Sequence, residues 1–421
     1  MILYRLFLWL YPILAKLISP FNEKAKQWVI GQANVWNEIN HLSAQIKGPI
    51  LWMHCASYGE FEQGLPIITA YKKAYPTHQV WVSFFSPSGY LHRKQDSNVD
   101  FVTYLPLDSP TAAAQWMQLV QPKCIVFVKY EFWFYYLKVA AAKNIPTLLA
   151  SAIFRPDQLF FKFYGGFYRK MLNLFKCILV QDKNAANLVE PILKDTILSV
   201  SGDTRFDRVL QITASNESIE WMSKLYKTET IIAGSTWEQD HEILGIVAKK
   251  CPQYNWIIVP HHVDTTAINA CRAHFPSAVL LSEWLIHSYH SMEKPMVLIV
   301  DQIGLLRNLY QYAKLAYIGG GFTKDGIHNV LEAAAFGTPV IWGPNDEKYQ
   351  EAIGLHNAQG GLKIKDALTL DQAITQIMLD EIYCKSIGHA ALQYVQNNAG
   401  ATQKTLDAIM QICASPIDQK L

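Results

Sequence analysis

The chain has 421 residues, half of them hydrophobic, enough for two domains with separate cores. Its 37 lysines and arginines against 35 aspartates and glutamates leave a net charge of +2, which excludes general affinity for nucleic acid. The seven cysteines show no CxxC or other metal-ligand spacing, and most sit in apolar runs, as small buried hydrophobes do in a reducing cytoplasm.

The first 18 residues read MILYRLFLWLYPILAKLI. The apolar run between Arg5 and Lys16 is ten residues, too short to span a bilayer unaided. No small-residue cleavage site follows, so a cleaved signal peptide is not expected. The pattern predicts a helix lying in the inner face of a membrane, with Arg5 and Lys16 snorkelling and Phe7, Trp9 and Tyr11 at headgroup depth. A tilted single-pass anchor and a buried first helix are the alternatives.

Trp28 to Gly48 reads as a helical connector, and Pro49 to His54 as a buried strand. The small-residue turn Cys55 to Glu60 follows, then a helix from Phe61 to Tyr75. Glu60 thus stands at the carboxyl end of the first strand, the edge where parallel sheets bind ligands. A carboxylate there serves either as a general base or as a complement to the helix dipole. Strand-like runs recur at Gln79 to Phe85, Asp100 to Leu105, Cys124 to Lys129, Thr147 to Ser151, Cys177 to Gln181 and Leu198 to Ser201, with helical stretches between them. The alternation predicts a doubly wound parallel sheet. Glu131 and Arg205 follow two of these strands and join Glu60 on the same edge. Between Phe154 and Lys176, aromatics interleave with Arg155, Lys162, Arg169, Lys170 and Lys176, a face suited to a phosphorylated lipid.

A polar helical segment, Asp207 to Thr228, leads to a second set of strands, at Thr230 to Ala233, Trp256 to Val259, Met296 to Val300, Leu315 to Ile318 and Val340 to Trp342. The His261-His262 pair is not read as a metal site, because adjacent side chains do not converge on one ion. Tyr317 to Pro344, YIGGGFTKDGIHNVLEAAAFGTPVIWGP, couples a strand to three glycines and a helix predicted to begin near His328. Strand, glycine turn and helix start form an anion site. Asn329 and Glu332 are expected on one face of its first turn, placed to grip a sugar hydroxyl pair.

Two Rossmann-like halves with a nucleotide grip in the second suggest a GT-B glycosyltransferase with a central cleft. HCASYGEFEQ at His54 to Gln63 looks like an HxASxGE segment, KYEFW at Lys129 to Trp133 like an ExExW-type segment, and SGDTRFD at Ser201 to Asp207 like G-[ND]-x-K-F-D. With the glycine–HNVLE stretch, these resemble the bacterial Kdo (3-deoxy-D-manno-octulosonic acid) transferases, glycosyltransferase family 30, over nearly the whole chain. The resemblance implies transfer of Kdo from CMP-Kdo to the lipid A precursor lipid IVA, with inversion, without cofactor or metal, at the cytoplasmic side of the inner membrane in contact with its lipids. It assigns Glu60 as base and Glu131 and Arg205 to transition-state stabilisation. Pro260, His261, Ile303, Gly304, Leu305, Asn329, Val330, Leu331 and Glu332 fall in CMP-binding segments. The expected division is 1–20 membrane helix, 21–207 acceptor domain, 208–228 interdomain segment, 229–390 donor domain and 391–421 helical tail. Three positions depart from the common pattern: His261 stands in place of an arginine, Leu305 in place of an acidic residue, and Arg205 in place of a lysine. A GT-B nucleotide-sugar epimerase and a non-catalytic membrane-bound scaffold are the rival readings; neither explains both the N-terminal segment and Glu60.

Overall fold

The computed structural model describes residues 1–94, 96–130, 132–215, 218–225, 229–287 and 295–414. Packing divides the chain into two units, Met1–Arg208 with the chain from Ala399 onward, and Val209–Asn398. The segment read as a linker and the segment read as a tail are therefore each cut, at Arg208 and at Asn398.

The first unit holds β1 (Ile50–Cys55), β2 (Gln79–Phe84), β3 (Phe101–Tyr104), β4 (Pro122–Val128), β5 (Thr147–Ala152), β6 (Cys177–Val180) and β7 (Ile197–Val200). They form one sheet in the order β3-β2-β1-β4-β5-β6-β7, with every pair parallel. Such a sheet is covered by helices on both faces, so its inner strands are continuously apolar. All six residues of β1 are buried accordingly. Large rings fill the space beneath the helices: Trp52 lies 4.9 Å from Trp116 and 5.6 Å from Tyr136, and Trp81 lies 5.7 Å from Trp116. Trp52 donates its indole N–H to Ser83 and Trp81 to Thr103, while the buried N–H of Trp116 has no partner among the described residues.

The second unit holds β8 (Thr230–Thr236), β9 (Asn255–Pro260), β10 (Val279–Leu280), β11 (Val297–Ile299), β12 (Leu315–Ile318), β13 (Val340–Trp342) and β14 (Gly361–Lys363). Its sheet is again all parallel, in the order β10-β11-β9-β8-β12-β13-β14. The edge strands β10 and β14 are too short to show a period and escape sequence reading.

The C-terminal helix Ala401–Cys413 belongs to the first unit. Asp207 fixes its start by accepting from the N–H groups of Gly400, at 3.0 Å, and Thr402, at 3.4 Å. A carboxylate at a helix N-terminus stabilises it electrostatically.

The N-terminal helix Ile2–Ile18 packs one face on the first unit. Tyr4 is buried and donates to Asp108 Oδ2 at 2.5 Å, while Tyr11 lies 4.9 Å from the Trp28 ring. The other face, including Leu6, Trp9, Ile13 and Leu17, is exposed. Among the described residues no helix is long and apolar enough to cross a membrane.

Candidate active site

In each sheet the strand order reverses beside the first strand, at β1/β4 and at β8/β12. Open α/β sheets take ligands outside the carboxyl ends of the strands at such a point.

At the β1/β4 point, the helix Tyr58–Ala74 starts three residues earlier than the sequence suggests, so Glu60 lies in its first turn rather than before it. Its carboxylate is buried and turns back toward the strand end, where the Ala56 N–H donates to Oε2. Helix complement and candidate base are thus the same geometry: the backbone holds one oxygen and fixes the group at the switch point.

Arg205 follows β7 at the sheet edge, and hydrogen bonds carry its segment inward. Thr204 Oγ1 donates to the Gln63 carbonyl at 2.7 Å and lies 3.3 Å from Ser151 Oγ at the end of β5. Gln63 Nε2 donates to Asp203 Oδ1 at 3.1 Å. Asp203, itself buried, then grips Arg205, accepting from its backbone N–H at 2.9 Å and from Nε at 2.7 Å, with Nη2 also at 2.7 Å. Tyr130 reports the cluster. Burial pushes its hydroxyl pKa up; Arg155 and Arg205 pull it down, and Glu60 and Asp203 push it further up. Glu60, Asp203, Arg205 and Arg155 therefore act on one hydroxyl. Glu131 lies outside the described residues.

Trp133 to Tyr136, which follow, are firmly tied. Trp133 Nε1 donates to His54 Nε2 at 3.0 Å, which leaves Nδ1 to carry the proton shared with Ser83 Oγ at 2.8 Å. The Phe134 N–H donates to Tyr4 at 3.1 Å, and Asp108 accepts from the N–H groups of Tyr135 and Tyr136 at 2.9 and 3.1 Å. Burial pushes the Asp108 carboxyl up to about 6, against those hydrogen bonds. Lys129 and Ser151, at the ends of neighbouring strands, both have left-handed φ, 68° and 52°. Such conformations cost roughly 1–3 kcal/mol each outside glycine and collect at functional edges.

At the β8/β12 point the three glycines serve close packing of backbones. A Cβ on Gly319 would lie 2.3 Å from the Ser235 carbonyl oxygen, and one on Gly321 would lie 2.5 Å from the Gly343 nitrogen. Asp240 fastens this turn. Fully buried, it accepts from the Gly320 N–H at 2.8 Å, the Trp237 N–H at 2.9 Å and the Tyr317 hydroxyl at 2.7 Å. Burial still pushes its pKa up.

Rings gather above the turn. Trp237 stacks on His261 with centroids 4.6 Å apart, and His261 stacks on His328 at 4.6 Å. Trp237 Nε1 donates to His328 Nε2 at 3.0 Å, so a neutral His328 holds its proton on Nδ1. Burial and the neighbouring His261 bring His328 down to about 4, and burial with His262 also lowers His261. The position occupied by arginine in the common pattern is thus neutral near pH 7.

The predicted helix start near His328 needs correction. The helix is a single turn, Leu331–Ala334, and its first N–H donates to Asn329 Oδ1 at 3.1 Å. One turn sums few peptide dipoles, so the expected strong anion-binding terminus is absent here. Asn329 precedes the helix instead of sharing its face, and its Nδ2 donates to Glu332 Oε1 at 3.4 Å. Arg307 Nε lies 3.9 Å from the same oxygen. Val330 and Leu331 are fully buried, so only their backbones are candidates for ligand contact. Pro260 ends β9, and the His261 N–H donates to the Thr236 carbonyl at 2.9 Å. Ile303 is 86% exposed and Gly304 sits in open space at φ +91°. Leu305 leads into the helix Leu306–Leu309, and Leu306 with Tyr310 fills the room left by Gly234 on β8. That packing brings Arg307 toward Glu332.

Sequence reasoning passed over Trp237, Asp240, Arg307, His328, Tyr130 and Asp203 as site residues. Trp237 and Asp240 follow β8 as Glu60 follows β1, a signal visible once the central strand of each sheet is known. The others become neighbours only through tertiary contacts.

Residues 33–208 match the family described as 3-Deoxy-D-manno-octulosonic-acid transferase (kdotransferase). The chain is 27% identical over 336 residues to the 3-deoxy-D-manno-octulosonic acid transferase of Aquifex aeolicus, covering 78% of this chain and 86% of that protein. Other bacterial Kdo transferases match at similar identity. Among solved structures, a putative UDP-N-acetylglucosamine 2-epimerase from Listeria monocytogenes superposes with TM-score 0.62 at 12% identity, covering 87% of this chain and 96% of that one. MurG from Acinetobacter baumannii gives 0.52 at 13%, covering 86% and 99%. Likeness at that identity speaks for the fold alone. The chain is a homologue of the Kdo transferases over most of its length, carries their domain at residues 33–208, and has the GT-B fold.

Proposed function

We propose that the chain transfers Kdo from CMP-Kdo to lipid IVA, with inversion and without a metal. The observation that carries this reading is the buried Glu60 carboxylate, held at the β1/β4 switch point by the Ala56 N–H and sharing its locality with Arg205. The acceptor's sugar hydroxyl binds at this edge and gives its proton to Glu60 as its oxygen bonds to the anomeric carbon of Kdo. The bond from that carbon to the CMP phosphate oxygen breaks, and CMP departs as an anion. Arg205, aimed by Asp203, stabilises negative charge on the reacting groups, and Glu131 orients the acceptor. The donor nucleotide is held by the second unit's loops: Pro260-His261, Ile303 to Leu305 and Asn329 to Glu332, with Arg307 supplying a cation beside Glu332. Neutral His261 and His328 offer stacking surface and an N–H donor in place of a second fixed charge.

The exposed face of the N-terminal helix, with Leu6, Trp9, Ile13 and Leu17, rests on the cytoplasmic side of the inner membrane. Phe163 and Tyr164, 94% and 61% exposed, belong to a segment that packs on this helix through Phe167, whose ring is 5.5 Å from Tyr4. A lipid acceptor gives such a face a purpose that an epimerase lacks.

The test is detergent-solubilised protein with CMP-Kdo and lipid IVA, products read by mass and by the anomeric configuration of the new linkage, with and without EDTA. A gain of Kdo mass with inverted configuration, insensitive to EDTA, is expected. CMP release without a glycolipid product would overturn the acceptor, and no CMP release would overturn the donor.

A further inference from the structure

Tyr4 and Tyr11 stand seven residues apart in the N-terminal helix, so two turns put them on one face. Leu6, Trp9, Ile13 and Leu17 occupy the exposed face. The inward face makes two ties to the first unit. That of Tyr4 is polar. The helix Phe134–Ala142 starts after Trp133, which supplies no side-chain cap, so its first N–H groups need partners from elsewhere. The Phe134 N–H donates to the Tyr4 hydroxyl, and those of Tyr135 and Tyr136 donate to Asp108, which also accepts from Tyr4. Burial and Asp108 push the Tyr4 hydroxyl pKa up, so it keeps the proton it donates. Arg5 adds a bond from Nε to the Tyr135 hydroxyl at 3.1 Å.

The tie of Tyr11 is aromatic. Its ring lies 5.4 Å from that of Phe85, the residue after β2, and Phe85 lies 4.9 Å from Trp133. Trp28 completes the cluster, 4.9 Å from Tyr11 and 5.9 Å from Phe85. Two bonds lead from this cluster to the end of β1. Trp133 donates to His54 at 3.0 Å, and the Ser86 N–H, next after Phe85, donates to the Ala56 carbonyl at 2.7 Å. The N–H of the same Ala56 donates to Glu60. Both backbone polar groups of Ala56 are thus engaged, one by the base candidate and one by the residue beside Phe85.

We propose that Tyr4 and Tyr11 are positioning residues for the Glu60 edge, through which the N-terminal helix sets the geometry of base and acceptor. This role rests on the reading of Glu60 as the base. Tyr4 fixes the start of the helix after Trp133, and Tyr11 backs the Phe85 ring against which Trp133 lies. Ala56, held from the Phe85 side, in turn fixes one oxygen of Glu60. A lipid acceptor comes from the surface on which the helix lies, so the element that meets the lipid also aligns the group that takes its proton. A shift of about 1 Å in such an alignment costs up to roughly 10²-fold in rate.

The test uses the full chain with Tyr4→Phe, Tyr11→Ala and Tyr11→Phe. Hydrogen exchange, read by peptide mass, needs no substrate and so stands apart from the proposed reaction. Tyr4→Phe should speed exchange by roughly tenfold at Phe134 to Tyr136, and Tyr11→Ala should do so at Ala56 to Glu60 and at Ser86, while peptides of β8 and β9 keep the parent's rates. Kdo transfer to lipid IVA in detergent is then measured per folded molecule, well below each Tm. Tyr4→Phe and Tyr11→Ala should each lose roughly 10- to 100-fold in kcat, with KM for CMP-Kdo within about twofold of the parent. Tyr11→Phe, which retains the ring, should keep the parent's values in both measurements. A purely structural tie would lower Tm and leave kcat per folded molecule at the parent's value, which would overturn the proposal. So would unchanged exchange at Ala56 to Glu60 in Tyr11→Ala. If the parent itself transfers no Kdo, the reaction reading falls, and exchange alone decides whether the helix holds the edge.

Discussion

The two sheets share one architecture and place their polar groups in opposite ways. At the β1/β4 edge, charged side chains hold one another: Asp203 grips Arg205, and a backbone N–H holds Glu60. At the β8/β12 edge, backbones meet through glycines, a buried carboxylate ties the loops, and the rings above it stay neutral. The difference follows from what each edge can present. On the proposed roles, a base and a cation must stay ionised, and the first edge surrounds Glu60 and Arg205 with partners. On the proposed roles, the second edge takes a flat, close-fitting ligand, and its glycines and rings offer backbone access and ring surface, with Arg307 beside Glu332 as its cation.

Breaking the first edge has the largest expected effect. Glu60→Gln keeps an acceptor for the Ala56 N–H, so folding should survive while kcat falls on the order of 10²–10⁴, the usual worth of a positioned base. CMP affinity by calorimetry should be unchanged; a parallel loss of CMP binding would assign Glu60 to the donor instead. Next comes Arg205→Lys. It restores the residue of the common pattern but cannot reproduce the two contacts from Nε and Nη2 to Asp203. Turnover should drop by roughly tenfold while Tm hardly moves, and an unchanged rate would show that the grip by Asp203 is irrelevant.

The second edge should yield through its tie. Asp240→Asn keeps one oxygen for the Gly320 and Trp237 N–H groups but sets an amide NH₂ against the donating Tyr317 hydroxyl, which should cost about 1–3 kcal/mol in denaturant unfolding. CMP titration should weaken as the Trp237 and Gly320 loops lose the charge of their common anchor. Full stability in this variant would remove Asp240 from the account.

The smallest effect separates the units by pH. His328 has a folded pKa of about 4 against 6.5 unfolded, so the unfolded chain binds the proton first. Its contribution is complete above pH 6.5 and is lost as the pH falls toward 4. Asp108 behaves oppositely: about 6 folded against 3.8 unfolded, it makes the folded state gain stability over the same fall. Tm profiles from pH 7 to 4 should therefore be flatter in His328→Gln and steeper in Asp108→Asn than in the parent. The same slope in all three would refute both assignments.

Much of this was legible beforehand where the signal is local. Continuous apolar runs such as Ile50–Cys55 fit strands buried on both faces, and their spacing by helices gives parallel order. Glu60 was visible because a turn of small residues after a strand marks a ligand edge. The helix at His328 was misjudged because the alanine run Ala333 to Ala335 favours a helix, while Asn329 capping Leu331 and the glycine turn before it delay its start. The three glycines were readable as a turn, but not that they approach Ser235 and Gly343.

From sequence alone came the two doubly wound halves, the apolar amphipathic N-terminus and the strand-end positions of the candidate groups, because periodicity and turn chemistry act over a few residues. Only the tertiary structure decided which strand ends become neighbours, since strand order depends on crossovers that local pattern does not encode. It brought Asp203 to Gln63, 140 residues away, and Tyr4 to Asp108, 104 away. It also set the charge of His261 and His328, because burial and neighbouring rings, not residue type, determine whether an imidazole holds its proton.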